Sequence, residues 1–207
     1  MRMIDFLEKN YEPFNNAVAA IMSENTDAEY IGGGAESRVW RVSIDGSSYA
    51  VKIAREVSLR GRPRDKERAV RESAQTAARA LGIRGLEQIR AVSVENAVAV
   101  YDFAPGTSLD RMCAGDMLSI SNEQLDALTE TIRRATDVGI EFDGWNISGA
   151  NAFYDREAGF TLIDYRAATR KISERTNTKF ALRSLGAAGI YCAERMGFTE
   201  SGENYEK

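Results

Sequence analysis

The spacing of apolar positions changes near residue 30. Upstream, Phe14, Val18 and Ile21 recur at helical intervals, so 3–23 reads as one or two short helices broken near Tyr11-Glu12-Pro13. Downstream the period falls to two. Val39, Arg41 and Ser43 alternate with Trp40, Val42 and Ile44, which predicts a half-buried antiparallel strand. EYIGGG before it, and YAVKIA after the turn DGSS, complete a β-rich block. A Gly/Pro/Arg break at 60–64 precedes a helix over about 65–81, with Val70, Ala74, Ala77 and Leu81 on one face. NAVAVYDF is read as another buried strand, ended by the loop APGTS. Ser121 and Gln124 form a capping box at the start of the amphipathic helix SNEQLDALTETIRRA. AFY, the turn DREAG and FTLI make a two-stranded ribbon. The tail 167–198 is expected to be helical, with Gly197 as its C-terminal cap. This order predicts an α+β domain over 1–207 in two lobes: a β-rich one with one main helix over about 1–103, and a helical one over about 104–207.

Composition narrows the function. Apolar residues at 43% and charged residues at 28% suit a folded globular domain. A net charge of -4 argues against general nucleic-acid binding. The basic stretch RGRPRDKER at 60–68 reads as a solvated loop running into a helix. The chain contains no histidine, which excludes Ser-His-Asp and Cys-His catalysis and His-ligated zinc. Cys113 and Cys192 lie far apart without metal-ligand spacing, as expected of free thiols. No apolar run is long enough to span a bilayer, and no Sec-type signal pattern opens the chain.

Chemistry gathers at three places. Gly32, Gly33 and Gly34 lie in a strand-to-strand turn, where a backbone without Cβ atoms can approach a polyphosphate. No GK[ST] follows them and no helix opens there, so the turn is neither a Walker loop nor a dinucleotide fingerprint. Lys52 interrupts an apolar strand. A lysine there should face a cleft and hold an anion. The wheel of the next helix puts Glu67 near the apolar stripe and Glu72 nearly opposite, so Glu67 is expected to point inward as the partner of Lys52. At the end of the ribbon, Asn151 and Asp164 offer an amide oxygen and a carboxylate, hard donors able to share Mg2+ with bound phosphates.

In this arrangement the chain resembles the protein kinase superfamily over about 30–166. IGGGAESRV looks like its Gly-rich loop, with Gly32, Gly34 and Ser37 at the three glycine positions and Val39 beyond them. YAVKIA looks like the strand of the ATP-anchoring lysine, Lys52, with Ala50 two residues before it. VYDFAPGTSL resembles the hinge, with Tyr101 as gatekeeper and the backbone of Asp102, Phe103 and Ala104 facing adenine. Asn151 and Asp164 match the two metal ligands at the common spacing of thirteen. The resemblance implies ATP and Mg2+ as cofactors and a monomeric enzyme that binds neither nucleic acid nor membrane. Asp164 is followed by Tyr-Arg rather than Phe-Gly, with no activation segment and few residues after it. That shortness resembles the minimal bacterial type III effector kinases of the HopBF type and, more distantly, of the OspG/NleH type. These imply secretion into a host cytoplasm and a host protein substrate, a heat-shock chaperone of the ninety-kilodalton class.

The catalytic base is the main departure. GWNISGAN puts Asn146 where the family has its aspartate, and an amide cannot accept a proton. Asn146 is then an orienting group and Asp143, three residues earlier, the expected base. A pseudokinase binding module is the first alternative. The tail LGAAGIYCAERMGFTESG resembles the end of a GNAT-type acetyltransferase, without that family's pyrophosphate loop. Aminoglycoside- or fructosamine-type small-molecule kinases share the core motifs but carry a larger substrate lobe.

Overall fold

A computed structural model describes residues 2–24, 27–33, 37–56, 65–113, 117, 119–142, 150–168 and 171–198. The break expected near Pro13 is a single 3-10 turn, Glu12–Phe14, between α1 (Met3–Lys9) and α2 (Asn15–Met22). Five strands follow: β1 (Glu29–Gly33), β2 (Ser37–Ile44), β3 (Ser47–Ala54), β4 (Ile89–Ser93) and β5 (Val98–Asp102). They form one sheet in the order β1-β2-β3-β5-β4, antiparallel throughout. The β2–β3 turn is Asp45-Gly46, with φ of 50° and 78°. Two positive φ values in sequence give the twist a two-residue hairpin needs, and Asp-Gly tolerates them at low cost.

Register sorts the side chains onto two faces. Val39, Lys52, Ala99 and Val92 form one row, and Arg41, Ala50, Tyr101 and Ile89 the next row of the same face. Leu7 of α1 packs on this face with Val70, Ala74 and Ala77 of α3 (Lys66–Ala80). The opposite face buries Val42, Val51, Val98 and Val100 against Tyr11, Phe14, Val18 and Ile21. α3 starts where Asp65 accepts the Arg68 amide at 3.0 Å, so its N-terminus has a side-chain cap.

Two expectations for this region need correction. Leu81 is 70% exposed, because the helix ends at Ala80 and Gly82 (φ 75°) turns the chain before another turn can form. β4 was not anticipated. Its signal was the run IRAVS, separated from the next apolar run by a short turn that ends at Ala97 with φ 54°.

The chain divides into two compact units, Met1–Ala78 with Gln88–Phe103, and Arg79–Glu87 with Ala104–Lys207. Segment 79–87 joins the second unit through the ladder. Leu86 bridges Leu162 in parallel, Leu162 N donates to Gly85 O at 2.8 Å, and Glu87 N donates to Leu162 O at 3.0 Å.

The second unit holds α4 (Asn122–Asp137), α5 (Glu174–Ser184) and α6 (Gly186–Arg195). Its strands are β6 (Thr107–Ser108), β7 (Ile140–Phe142), β8 (Ala152–Asp155), β9 (Gly159–Leu162) and β10 (Tyr165–Ala167). β6-β8-β9 form one small sheet and β10-β7 another, around a core that includes Leu128, Ile132, Ile140, Leu162 and Leu185. The capping box forms as expected, with Gln124 N donating to Ser121 Oγ and Ser121 N to Gln124 Oε1. Gly197 ends α6 in a Schellman arrangement: its own N–H reaches Glu194 O, and that of Phe198 reaches Ala193 O. The tail is not helical from 167. Residues 165–167 pair instead with 140–142, and the first tail helix begins at Glu174.

Candidate functional site

In the first unit Gly32 and Gly33 stand at the end of β1, where two backbones approach closely. A Cβ on Gly33 would lie 2.6 Å from the carbonyl oxygen of Ser37, the first residue of β2, so a larger residue would push the strands apart. Gly32 has φ 140° and stands opposite Val39, beside an irregularity in the β1–β2 register. Gly34 lies outside the described residues. Lys52 is half-buried on β3, flanked in register by Val39 and Ala99, and its Nζ sits 4.3 Å from the centroid of the Tyr101 ring. Val39, Ala50, Lys52 and Tyr101, singled out from three separate stretches of sequence, therefore share one face of one sheet.

Glu67 corrects an expectation. Its side chain is 56% exposed and pairs with Arg71 one turn on, while Glu72 pairs with Arg68 at 2.8 Å. The wheel placed Glu67 near the apolar stripe, but the residues that cover α3 meet Val70, Ala74 and Ala77. Glu67 lies a turn before that patch begins, so position on the wheel does not bury it.

The stretch expected to be a hinge is tied into the fold by its backbone. Asp102 N donates to Gln88 O at 2.9 Å and Phe103 N to Ser48 O at 3.1 Å. The Asp102 carboxylate grips Arg90 with two bonds of 2.6 Å, and this raises the guanidinium pKa above its ordinary range. The Arg41 guanidinium lies 4.6 Å over the Phe103 ring. Ala104 is buried and begins the long segment of the second unit.

In the second unit the ribbon places both expected metal ligands together. β8 and β9 pair Ala152 with Leu162, and Ile163 N donates to Asn151 O at 2.9 Å. Asn151 Nδ2 then reaches Asp164 Oδ2 at 3.4 Å. The ribbon turn is held by Asp155, whose carboxylate accepts the Glu157 and Ala158 amides; those bonds lower its pKa. Asp164 is exposed, with φ 56°. A non-glycine residue in that region costs on the order of 1 kcal/mol, and such residues cluster at functional sites. Among the described residues no three His, Cys, Asp or Glu side chains cluster as a metal site. Asn151 presents its Nδ2 to the carboxylate here; turned to present Oδ1 instead, the amide with Asp164 would suit Mg2+, which takes few protein ligands and completes its shell with water and phosphate oxygens.

Asp143 and Asn146, the expected base and orienting group, lie outside the described residues. Their flank is well built. Phe142 pairs in β7 with Tyr165 of β10, so the residue before Asp143 stands opposite the residue after Asp164. Tyr165 Oη donates to Glu87 O. Arg79 Nη1 donates to both Gly139 O (2.7 Å) and Ala168 O (3.1 Å), which pins the outer end of that strand pair.

Sequence reasoning overlooked Asn177. It is fully buried in α5, accepts from Phe142 N at 3.1 Å, and donates to Ile140 O and Thr136 Oγ1 at 2.9 Å each. The available signal was an amide sharing a helical stripe with Phe180, Ala181 and Ser184, where a polar group needs partners.

Among the described residues no helix is long and apolar enough to cross a membrane. No protein-family model matches the chain, and no curated protein matches it.

Proposed function

We propose that this chain is an ATP- and Mg2+-dependent protein serine/threonine kinase with a minimal kinase-like fold. The observation that carries the reading is the Asn151–Asp164 pair, an amide and a carboxylate brought together at the end of the ribbon, with Asn151 Nδ2 3.4 Å from Asp164 Oδ2 and the carboxylate on a residue of positive φ. A five-stranded antiparallel sheet, with α3 inserted between β3 and β4 and a lysine on the face that packs on that helix, supports it further. On this reading Lys52 holds a phosphate oxygen, and Asn151 and Asp164 hold Mg2+. Held there, Mg2+ would supply positive charge to offset that of the phosphates. Positioning and charge carry most of phosphoryl transfer, so a weak or absent base lowers the rate without abolishing it. The acceptor is a hydroxyl of a host protein. A chaperone of the ninety-kilodalton class is the first substrate to try, with the chain acting as a secreted bacterial effector.

The test is label transfer from γ-labelled ATP, with ATP-dependent thermal stabilisation read in parallel. The wild-type chain should incorporate label in Mg2+ and lose it in EDTA. Asp164→Ala and Lys52→Met should each lower transfer at least 100-fold, while the surface change Glu130→Gln should leave it intact. Mg2+-dependent stabilisation by ATP without transfer would mark a pseudokinase binding module. Neither stabilisation nor transfer would refute the reading.

A further inference from the structure

The contact between Lys52 and Tyr101 follows from a small square of residues on two neighbouring strands. Ala50 stands directly across from Tyr101, and Lys52 directly across from Ala99. The two alanines are nearly covered, at 5% and 7% exposure. Two methyl side chains on one diagonal leave the other diagonal open, and a diagonal cross-strand pair is within reach of long and aromatic side chains. The lysine stem can cross the gap and set its ammonium 4.3 Å from the Tyr101 centroid, well inside the range of cation–π attraction.

We propose that the Tyr101 ring is a positioning residue for Lys52, holding its ammonium over the sheet face ready for the phosphate tail of a nucleoside triphosphate. The inference rests on the kinase reading and adds a second role for Tyr101, beyond lining the adenine side. The ring face attracts the cation, and the direction of the lysine stem is set before a ligand arrives. The nucleotide then does not bear the ordering entropy of a four-carbon chain. The ring, not the hydroxyl, does the holding, so phenylalanine should serve as well as tyrosine.

The experiment uses the full chain with its lysines 13C-dimethylated, a modification that keeps their charge. The Lys52 methyl signal is assigned as the one missing in Lys52→Arg. Its chemical shift and the affinity for MgATP are measured in wild type, Tyr101→Phe and Tyr101→Leu. In wild type and Tyr101→Phe the signal should show the upfield displacement of a cation above a ring, with equal affinities. In Tyr101→Leu the signal should move to the position of the exposed lysines, and MgATP should bind roughly threefold to tenfold more weakly, as loss of a cation–π contact implies. A Lys52 signal that does not move in Tyr101→Leu overturns the inference, as does an unchanged affinity. A wild-type chain that binds no MgATP refutes the kinase reading itself, a result distinct from either. Should Tyr101→Leu fail to fold, Ala99→Val tests the same contact by filling the open diagonal, and must shift the signal the same way.

Discussion

Replacing Asn177 with leucine keeps the number and branching of the side-chain heavy atoms and removes every hydrogen bond it makes. Phe142 N–H then loses its amide acceptor and Ile140 C=O loses its donor, both in residues at most 3% exposed. Thr136 is affected less, since its hydroxyl still donates to Ile132 O. Each orphaned buried group costs about 1–3 kcal/mol, so the substitution should destabilise by about 2–6 kcal/mol. Set against a usual stability of about 5–15 kcal/mol, that is a large fraction. Urea unfolding followed by fluorescence measures the loss, and hydrogen exchange at the Phe142 amide localises it. The amide should pass from strongly protected to exchanging with the local openings of the second unit. A loss below about 1 kcal/mol with Phe142 protection unchanged would show that water or a rearranged partner satisfies these groups, and that Asn177 does not clamp β7.

Two further outcomes separate burial from exposure. Burial pushes the Cys192 thiol up to about 11, while Cys113 is exposed; a maleimide at pH 8 should therefore label one site in the native chain and two in urea. The unfolded thiol loses its proton near pH 9 and the folded one near 11. The unfolded state thus binds fewer protons in between, and stability should fall across that window by up to about 3 kcal/mol, an effect absent in Cys192→Ala. Glu67→Gln removes only an exposed ion pair, so it should change stability by less than about 0.5 kcal/mol and leave MgATP affinity unaltered; a tenfold loss of affinity would restore Glu67 to the role expected from the helical wheel.

Where the controlling contacts lie close in sequence, the reading from residues held. Asp45-Gly46, the Ser121–Gln124 box, the Gly197 cap and the Asp155 turn each depend on atoms within about five residues, and all form. The pairing of Asn151 with Asp164 was legible for a related reason. A short turn fixes the register of a two-stranded ribbon, and the register brings its ends together. The wheel of α3 identified the buried stripe at Val70, Ala74 and Ala77 but not its length.

The sequence alone therefore determined the α+β class, the local turns and caps, and the chemical types at the candidate site. Tertiary structure decided how far each apolar stripe is covered, which leaves Glu67 exposed in the first turn of α3 and Leu81 exposed just beyond its last. It also decided that residues 165–167 pair as a strand with 140–142, that Asn177 caps buried backbone 35 residues away, and that the ring over Lys52 belongs to Tyr101. Each of those outcomes depends on register or packing between segments distant in the chain, where periodicity and propensity carry no information about the partner.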